Sequence, residues 1–297
     1  LAIGIGLYSQ AIHGSQLSKI RHIHNRKLAI GNRQSTITLL TDFGMLDYFV
    51  GAMKGVILSG NPTATIVDIT HDIPAQDIHA AAFNLLAAYK DFPSGTIHVA
   101  VVDPGVGSSR RPILIECAAQ IFVGPDNGLF SWICEREGRF LARHLTNETF
   151  FKGPMSATFH GRDVFAPVAA ALSKGVATEE FGPLIDDLIA LESLTPRSND
   201  DGTLEAAIIH IDRFGNCITN LTTEHLTEDV NRRATLVVND HEITSFRKFF
   251  SAEAVGNETL FMIPGSAGFI EIAAQNSSAA SILQAQRGQL IRLQTGT

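Results

Sequence analysis

A chain of 297 residues, 45% apolar and 18% charged, is long enough to bury a substantial core and too apolar to remain disordered. Its net charge of -7, with no long run of either sign, argues against a nucleic-acid partner held through phosphate contacts. No apolar run approaches the ~20 residues of a membrane span. Cys117, Cys134 and Cys217 are odd in number and spaced for neither a disulfide framework nor a zinc site, so they read as free thiols of a reducing, cytoplasmic compartment.

Residues 1–34 lack periodicity and read as an extension outside the fold. Leu1 to Leu7 are apolar, but the basic residues Lys19, Arg21, Arg26 and Lys27 follow them, the reverse of the order in a secretory signal. From Thr36 the pattern becomes short β-branched or apolar runs alternating with helical periods. Strands are expected at Ile37 to Thr41, Thr65 to Ile69, Thr96 to Val102, Pro112 to Cys117 and Ile121 to Val123. Helices are expected at Tyr48 to Leu58, Ile78 to Tyr89, Leu129 to Glu137 and Asp163 to Ser173. Such alternation predicts an α/β domain over 35–192, three-layered around a largely parallel sheet, with ligands beyond the carboxyl ends of its strands. Leu191 to Gly202 is rich in Ser, Pro, Asn and Asp and reads as a linker. Short strands at Leu204 to Ile211, Ala234 to Val238, Thr259 to Ile263, Phe269 to Ala273 and Gln289 to Leu293 then predict a smaller all-β barrel domain over 203–297.

Acids recur at predicted strand ends: Asp42 in Thr-Asp-Phe-Gly, Asp68 in Val-Asp-Ile-Thr-His, and Asp103 in Val-Asp-Pro-Gly-Val-Gly. Each residue alone is equally at home in a turn, because Asp bonds nearby backbone amides. Gly105 and Gly107 permit a tight path that brings Arg110 back toward Asp103, where a guanidinium would lower the carboxyl pKa and keep it ionised. The same pair also serves as a structural ion pair closing a loop. His160, in Phe-His-Gly-Arg-Asp, stands at a loop-to-helix junction where a side chain can face a pocket or simply pack. His71 and His98 read as structural. Asp68, His71 and Asp72 match no specific metal motif, and no metal site is expected. Gly105-Val106-Gly107 leads into a strand rather than a helix, which excludes a phosphate cradle. In the second domain, Ile211-Asp212-Arg213-Phe214-Gly215-Asn216 and Pro264-Gly265-Ser266-Ala267-Gly268 are hairpin turns, or a carboxylate, an amide and a hydroxyl gathered around one polar ligand.

Taken in order, Thr41-Asp42-Phe43-Gly44, Val102-Asp103-Pro104-Gly105-Val106-Gly107, Pro125-Asp126-Asn127-Gly128, Phe159-His160-Gly161-Arg162-Asp163 and Ile211 to Asn216 resemble the S-adenosylmethionine (SAM) hydroxide adenosyltransferases, hydrolase relatives of the fluorinase and chlorinase enzymes. The resemblance runs from about Thr36 to the C-terminus. It implies an N-terminal α/β domain, a C-terminal β-barrel, and a homotrimer with active sites between subunits. It also implies a metal-independent reaction in which SAM is the substrate and no cofactor is needed. By motif position, Asp103, Arg110 and His160 would hold the attacking water. Asp42 would bind the ribose hydroxyls, Asp212 the methionine amino group, Asn216 the adenine and Ser266 the methionine carboxylate. The chain departs from the fluorinase, which has Tyr at the Asp103 position, Ser at the Gly161 position and a long insertion between the strands around Ile115 and Phe122. Gly161 is shared with the chlorinase, and Ser266-Ala267 replaces the halogenases' Ser-Arg pair. The expected activity is therefore hydrolysis of SAM to adenosine and methionine, with a chlorinase-like halogenase or a non-catalytic SAM- or adenosine-binding protein as the alternatives.

Overall fold

The computed structural model describes residues 35–226, 234–250 and 259–295; the extension expected at 1–34 lies outside them. Strands β1 (Thr36–Thr41), β2 (Thr65–Thr70), β3 (Ile97–Val101), β4 (Pro112–Cys117), β5 (Gln120–Pro125), β6 (Phe140–His144) and β7 (Leu184–Ile185) form one sheet in the order β2-β1-β3-β5-β4-β6-β7. The pairs from β2 to β5 are parallel. Beyond β5 the sheet continues antiparallel through β4, β6 and β7.

Alternate residues of the central strands enter opposite cores, as the two-residue repeat of a strand requires. Ile37, Leu39, Ile97, Val99 and Val101 pack against Met53, Ile57, Ala169 and Leu172. Those partners belong to helices α1 (Phe49–Gly60) and α4 (Ala166–Ser173). Leu40, Ala100, Val102 and Phe122 face Ala81, Leu85, Trp132 and Ile133 on the other side. These come from α2 (Ile78–Ala88) and α3 (Ser131–Glu137). Each core leucine, isoleucine or phenylalanine contributes roughly 1.5–3 kcal/mol through burial. Asp77 caps α2 by accepting the Ala80 N–H at 2.9 Å, and α3 ends at Gly138 with φ 66°. The expected helix over 163–173 begins instead with a π-helical turn, Gly161–Phe165, before α4.

The second sheet is antiparallel. It contains β8 (Arg197–Ser198), β9 (Leu204–Ile211), β10 (Cys217–Thr219), β11 (Ala234–Val238), β12 (His241–Ile243), β13 (Leu260–Pro264), β14 (Ile270–Ala274) and β15 (Leu290–Thr295). Its path runs β12-β11-β15-β9-β10-β14-β13, with β8 alongside β9. A bridge between Phe246 and Met262, with Arg247 N–H to Met262 O at 2.9 Å and Met262 N–H to Ser245 O at 2.8 Å, nearly closes it. Its interior holds Ile208, Leu236, Met262, Ile272 and Leu293, with Leu283 from the short helix α5 (Ala279–Leu283). The stretch expected to be a bare linker is partly ordered by pairing. β8 falls inside it, and Leu194 N–H bonds the Glu135 carboxylate.

The two sheets meet along α2. Phe83 stacks on His210 with ring centroids 4.3 Å apart, Ile209, Ile218 and Phe269 join the α2 core, and Asp77 pairs with Arg287 at 2.6 Å. Cys117, Cys134 and Cys217 are buried free thiols. Among the described residues no helix is long and apolar enough to cross a membrane.

Candidate active site

Asp103 lies just past β3, and the turn after it explains how a residue seven positions later returns to it. Ser108 donates both its N–H and its hydroxyl to Gly105 O, at 3.1 and 2.6 Å, and Arg110 N–H bonds Ser108 Oγ at 3.2 Å. Gly107 has φ +77°, and a Cβ there would stand 2.3 Å from Ala157 O, so the close approach of loop 152–160 requires glycine. The reversal lays Arg110 over Asp103 as a bidentate pair, Nε to Oδ1 at 3.0 Å and Nη2 to Oδ2. The two side chains are 7% and 5% exposed.

His160 enters from the residue before the π-helical turn and places Nδ1 2.9 Å from Arg110 Nη2. A guanidinium only donates, so Nδ1 accepts and the neutral ring carries its hydrogen on Nε2. The loop beneath is held by Asp163, which takes Ser156 N–H at 2.8 Å and a bidentate grip from Arg162. Arg110 Nη1 is buried without a protein partner, leaving one donor of the cluster unused. The structure thus gathers the acid, the guanidinium and the imidazole in one nearly solvent-excluded cluster.

The expected electrostatics of Asp103 are overturned. Burial is the largest influence and pushes its pKa above the ordinary carboxyl value, outweighing the lowering by Arg110 and His160. His160 is pushed down, first by burial and then by the Arg110 charge, so it is neutral at neutral pH.

Asp42 follows β1 directly and accepts Gln76 N–H at 2.8 Å. Asp68 stands inside β2 rather than beyond its end, where Lys54 Nζ meets it at 2.6 Å and His71 Nε2 lies 3.1 Å away. Neither His71 nor Asp68 joins a grouping of three or more His, Cys, Asp or Glu suited to a metal among the described residues. His98 is a core residue, bonded through Nδ1 to Thr38 at 2.7 Å and stacked on Phe122.

The β9–β10 hairpin turn holds Asp212 and Asn216 together. Asp212 Oδ1 accepts Phe214 N–H at 2.9 Å and Asn216 N–H at 2.8 Å, and Oδ2 accepts Asn216 Nδ2 at 2.9 Å. Ser266 is exposed on the β13–β14 turn. Two neighbours escaped the sequence reading. Phe214 is 78% exposed beside Asp212, and Glu271 has its carboxyl where a Cβ on Gly265 would sit, with a pKa raised first by burial and then by the charge of Asp212. A lone acid in the apolar run Phe269 to Ala274 was the available signal. Among the described residues, no hydrogen bond or ion pair links this second set to Asp103, Arg110 or His160. A cavity between α2, His210 and Arg287 and another lined by β5, α3 and residues 188–191 also stand apart from those three side chains.

Residues 37–182 match the SAM hydroxide adenosyltransferase N-terminal domain, and residues 206–292 match the C-terminal domain of the same family. The chain belongs to the SAM hydroxide adenosyltransferases. This family member is 36% identical over 263 residues to the (R)-S-adenosyl-L-methionine hydrolase of Salinispora arenicola, an alignment covering 88% of this chain and 98% of that enzyme. A fluorinase from an Actinoplanes species is 27% identical over 216 residues, covering 64% of this chain and 72% of the fluorinase. In structure the chain resembles an uncharacterized conserved protein from Thermotoga maritima, with a TM-score of 0.79, 35% identity, and coverage of 86% of this chain and 99% of that one.

Proposed function

We propose that this protein hydrolyses SAM to adenosine and methionine by in-line attack of water on C5′ of the ribose. The observation that carries the reading is Arg110 bridging Asp103 and His160 in a largely solvent-shielded cluster, on a chain of the SAM hydroxide adenosyltransferase family. Methionine leaves as a neutral thioether from a sulfonium, so departure needs no acid. The demand falls on aligning and deprotonating the nucleophile, because bulk water has a pKa near ~15.7. Asp103 is the proton acceptor in this reading. Its carboxylate has lone pairs beyond those engaged by Arg110, whereas His160 accepts from Arg110 through Nδ1 and presents Nε2–H as a donor that orients the water. Raising the Asp103 pKa strengthens it as a base, and the guanidinium keeps it aligned.

Asp42 binds the ribose hydroxyls, Asp212 the methionine ammonium, Asn216 the adenine and Ser266 the methionine carboxylate. Because a carboxylate only accepts, the Asn216 amide nitrogen belongs to Asp212, which leaves its oxygen to take the adenine amino group. The chain is read as an α/β domain over 35–192 and a β-barrel domain over 203–297. It forms a homotrimer whose sites combine the first domain of one subunit with the second domain of a neighbour. That arrangement is favoured by the separation of the two residue sets and by apolar side chains held out to solvent beside each: Met45, Leu46 and Tyr48 near Asp42, and Phe214 near Asp212.

Halide transfer is disfavoured because a halide nucleophile would sit against the Asp103 carboxylate in a low-dielectric site. The test is to incubate the purified protein with SAM, with and without chloride, and separate the products. Adenosine and methionine in equal amounts are expected. Accumulation of 5′-chloro-5′-deoxyadenosine, or ligand binding with no turnover, would overturn the reading.

A further inference from the structure

Thr41, His71 and Asp68 form a polar chain that ends one residue from Asp42, and hydrolysis by the Asp103 cluster leaves it without a role. Thr41 is fully buried and its Oγ1 accepts the Phe43 N–H at 3.2 Å, which fixes the turn that carries Asp42. The same oxygen lies 2.8 Å from His71 Nδ1. The Asp68 carboxylate, whose Oδ1 lies 3.1 Å from Nε2, can only accept, so the ring's hydrogen stands on Nε2 and Nδ1 takes the Thr41 hydroxyl hydrogen. That contact is within ion-pair distance but is not aligned as a hydrogen bond. Asp68 Oδ2 accepts Lys54 Nζ from α1 at 2.6 Å.

The backbone supports the same arrangement. The parallel register of β1 and β2 slips so that Leu39 faces Asp68 but Leu40 faces Thr70, leaving Ile69 as an extra residue. Such a bulge re-aims the residues after it. Here it brings the His71 carbonyl to Gly44 N–H at 2.8 Å. The turn holding Asp42 is therefore tied to the β2 loop through Thr41 to His71, Gly44 to His71, and Asp42 Oδ2 to Gln76 N–H. This leaves Asp42 Oδ1 for a ligand.

We propose that Thr41 and His71 are positioning residues that set the direction of the Asp42 carboxylate and thereby the recognition of the ribose hydroxyls, a proposal resting on Asp42 as the ribose-binding residue. A purely structural network would cost folding stability and leave substrate discrimination alone. Positioning instead changes which substrates are accepted.

The experiment compares kcat and KM for SAM and for analogues lacking the 2′- or 3′-hydroxyl, in the full-length protein and in Thr41→Val, Thr41→Ser, Asp42→Ala and the Thr41→Val/Asp42→Ala double variant. Thr41→Val is expected to raise KM for SAM about tenfold, the scale of one well-placed hydrogen bond, and to reduce the preference for SAM over the deoxy analogues by a similar factor. Thr41→Ser restores both. In the Asp42→Ala background Thr41→Val has no further effect. A Thr41→Val protein with a lower Tm but unchanged KM and preference would overturn the proposal, as would penalties that simply multiply in the double variant. Should Thr41→Val not fold, Asp68→Asn at the more exposed end of the chain is expected to shift KM and preference about threefold in the same direction; no shift overturns the proposal. If Asp42→Ala itself keeps wild-type KM and preference, the ribose assignment fails and takes this proposal with it.

Discussion

At the scale of single residues, Asp103 and His160 set the pH dependence of turnover. Asp103 must be ionised to accept a proton, and burial places its pKa above that of an ordinary carboxyl, ~3.9. His160 must be neutral to accept from Arg110, and its pKa is held below ~6.5. Both groups must therefore be deprotonated for turnover. The expected kcat/KM profile falls as pH is lowered and levels off as pH rises, with no alkaline limb from Asp103 or His160, because each acts in its deprotonated form. A profile that instead declines as pH rises through neutrality would contradict this assignment. Replacing Asp103 by Asn retains the shape but removes the base. It is expected to lower kcat by about 10²- to 10⁴-fold with little change in KM, measured by initial rates over a range of SAM concentrations.

At the scale of elements, the site depends on a turn that only glycine closes and on a strand that buries an imidazole. In Gly107→Ala a side chain would enter the space of Ala157 O at positive φ, at a cost of roughly 1–3 kcal/mol. Its Tm should fall, and kcat should fall with it, because the displaced turn carries Arg110 away from Asp103. Within β3, burial lowers the His98 pKa from 6.5 to about 4. The folded state prefers the neutral ring, so this contribution is complete above pH 6.5 and is lost as pH falls toward 4, on the order of 3 kcal/mol in all. Denaturant titrations of His98→Leu should show lower stability at pH 7, because Thr38 loses its hydrogen-bond partner, yet a shallower decline between pH 6.5 and 4. An equally steep decline would show that His98 is not the titrating group.

Much of this layer was legible in the sequence. The alternating apolar runs marked β1 to β5 and their helices, because a sheet covered on both faces writes itself as Ile-Thr-Leu-Leu and Ile-His-Val-Ala-Val. The strands β6, β7, β8 and β12 were not anticipated. Phe140 to His144 mixes exposed and charged residues, and β7, β8 and β12 are only two or three residues long, so pairing partners rather than periodicity define them. The resemblance named Asp103, Arg110 and His160 as one set, and the three side chains lie in hydrogen-bonding contact. The sign of the Asp103 shift was out of reach, because depth of burial is a property of the assembled turn and not of its letters. Glu271 and the Thr41–His71 contact depend likewise on distances across the fold.

At the scale of the whole molecule, the proposed trimer distributes each active site over two subunits. Asp103→Asn and Asp212→Ala are each expected to be nearly inactive as pure proteins. Co-expressed, they should recover activity, because in mixed assemblies some sites pair an intact Asp103 from one chain with an intact Asp212 from its neighbour. No recovery in assemblies verified to be mixed would place each site within one chain.

The attack of water on the ribose carbon is tested most directly by running the reaction in H₂¹⁸O and analysing both products by mass spectrometry. The expected result is one ¹⁸O in adenosine, at the 5′-hydroxyl, and none in methionine. Unlabelled adenosine, or label found in methionine, would contradict the mechanism.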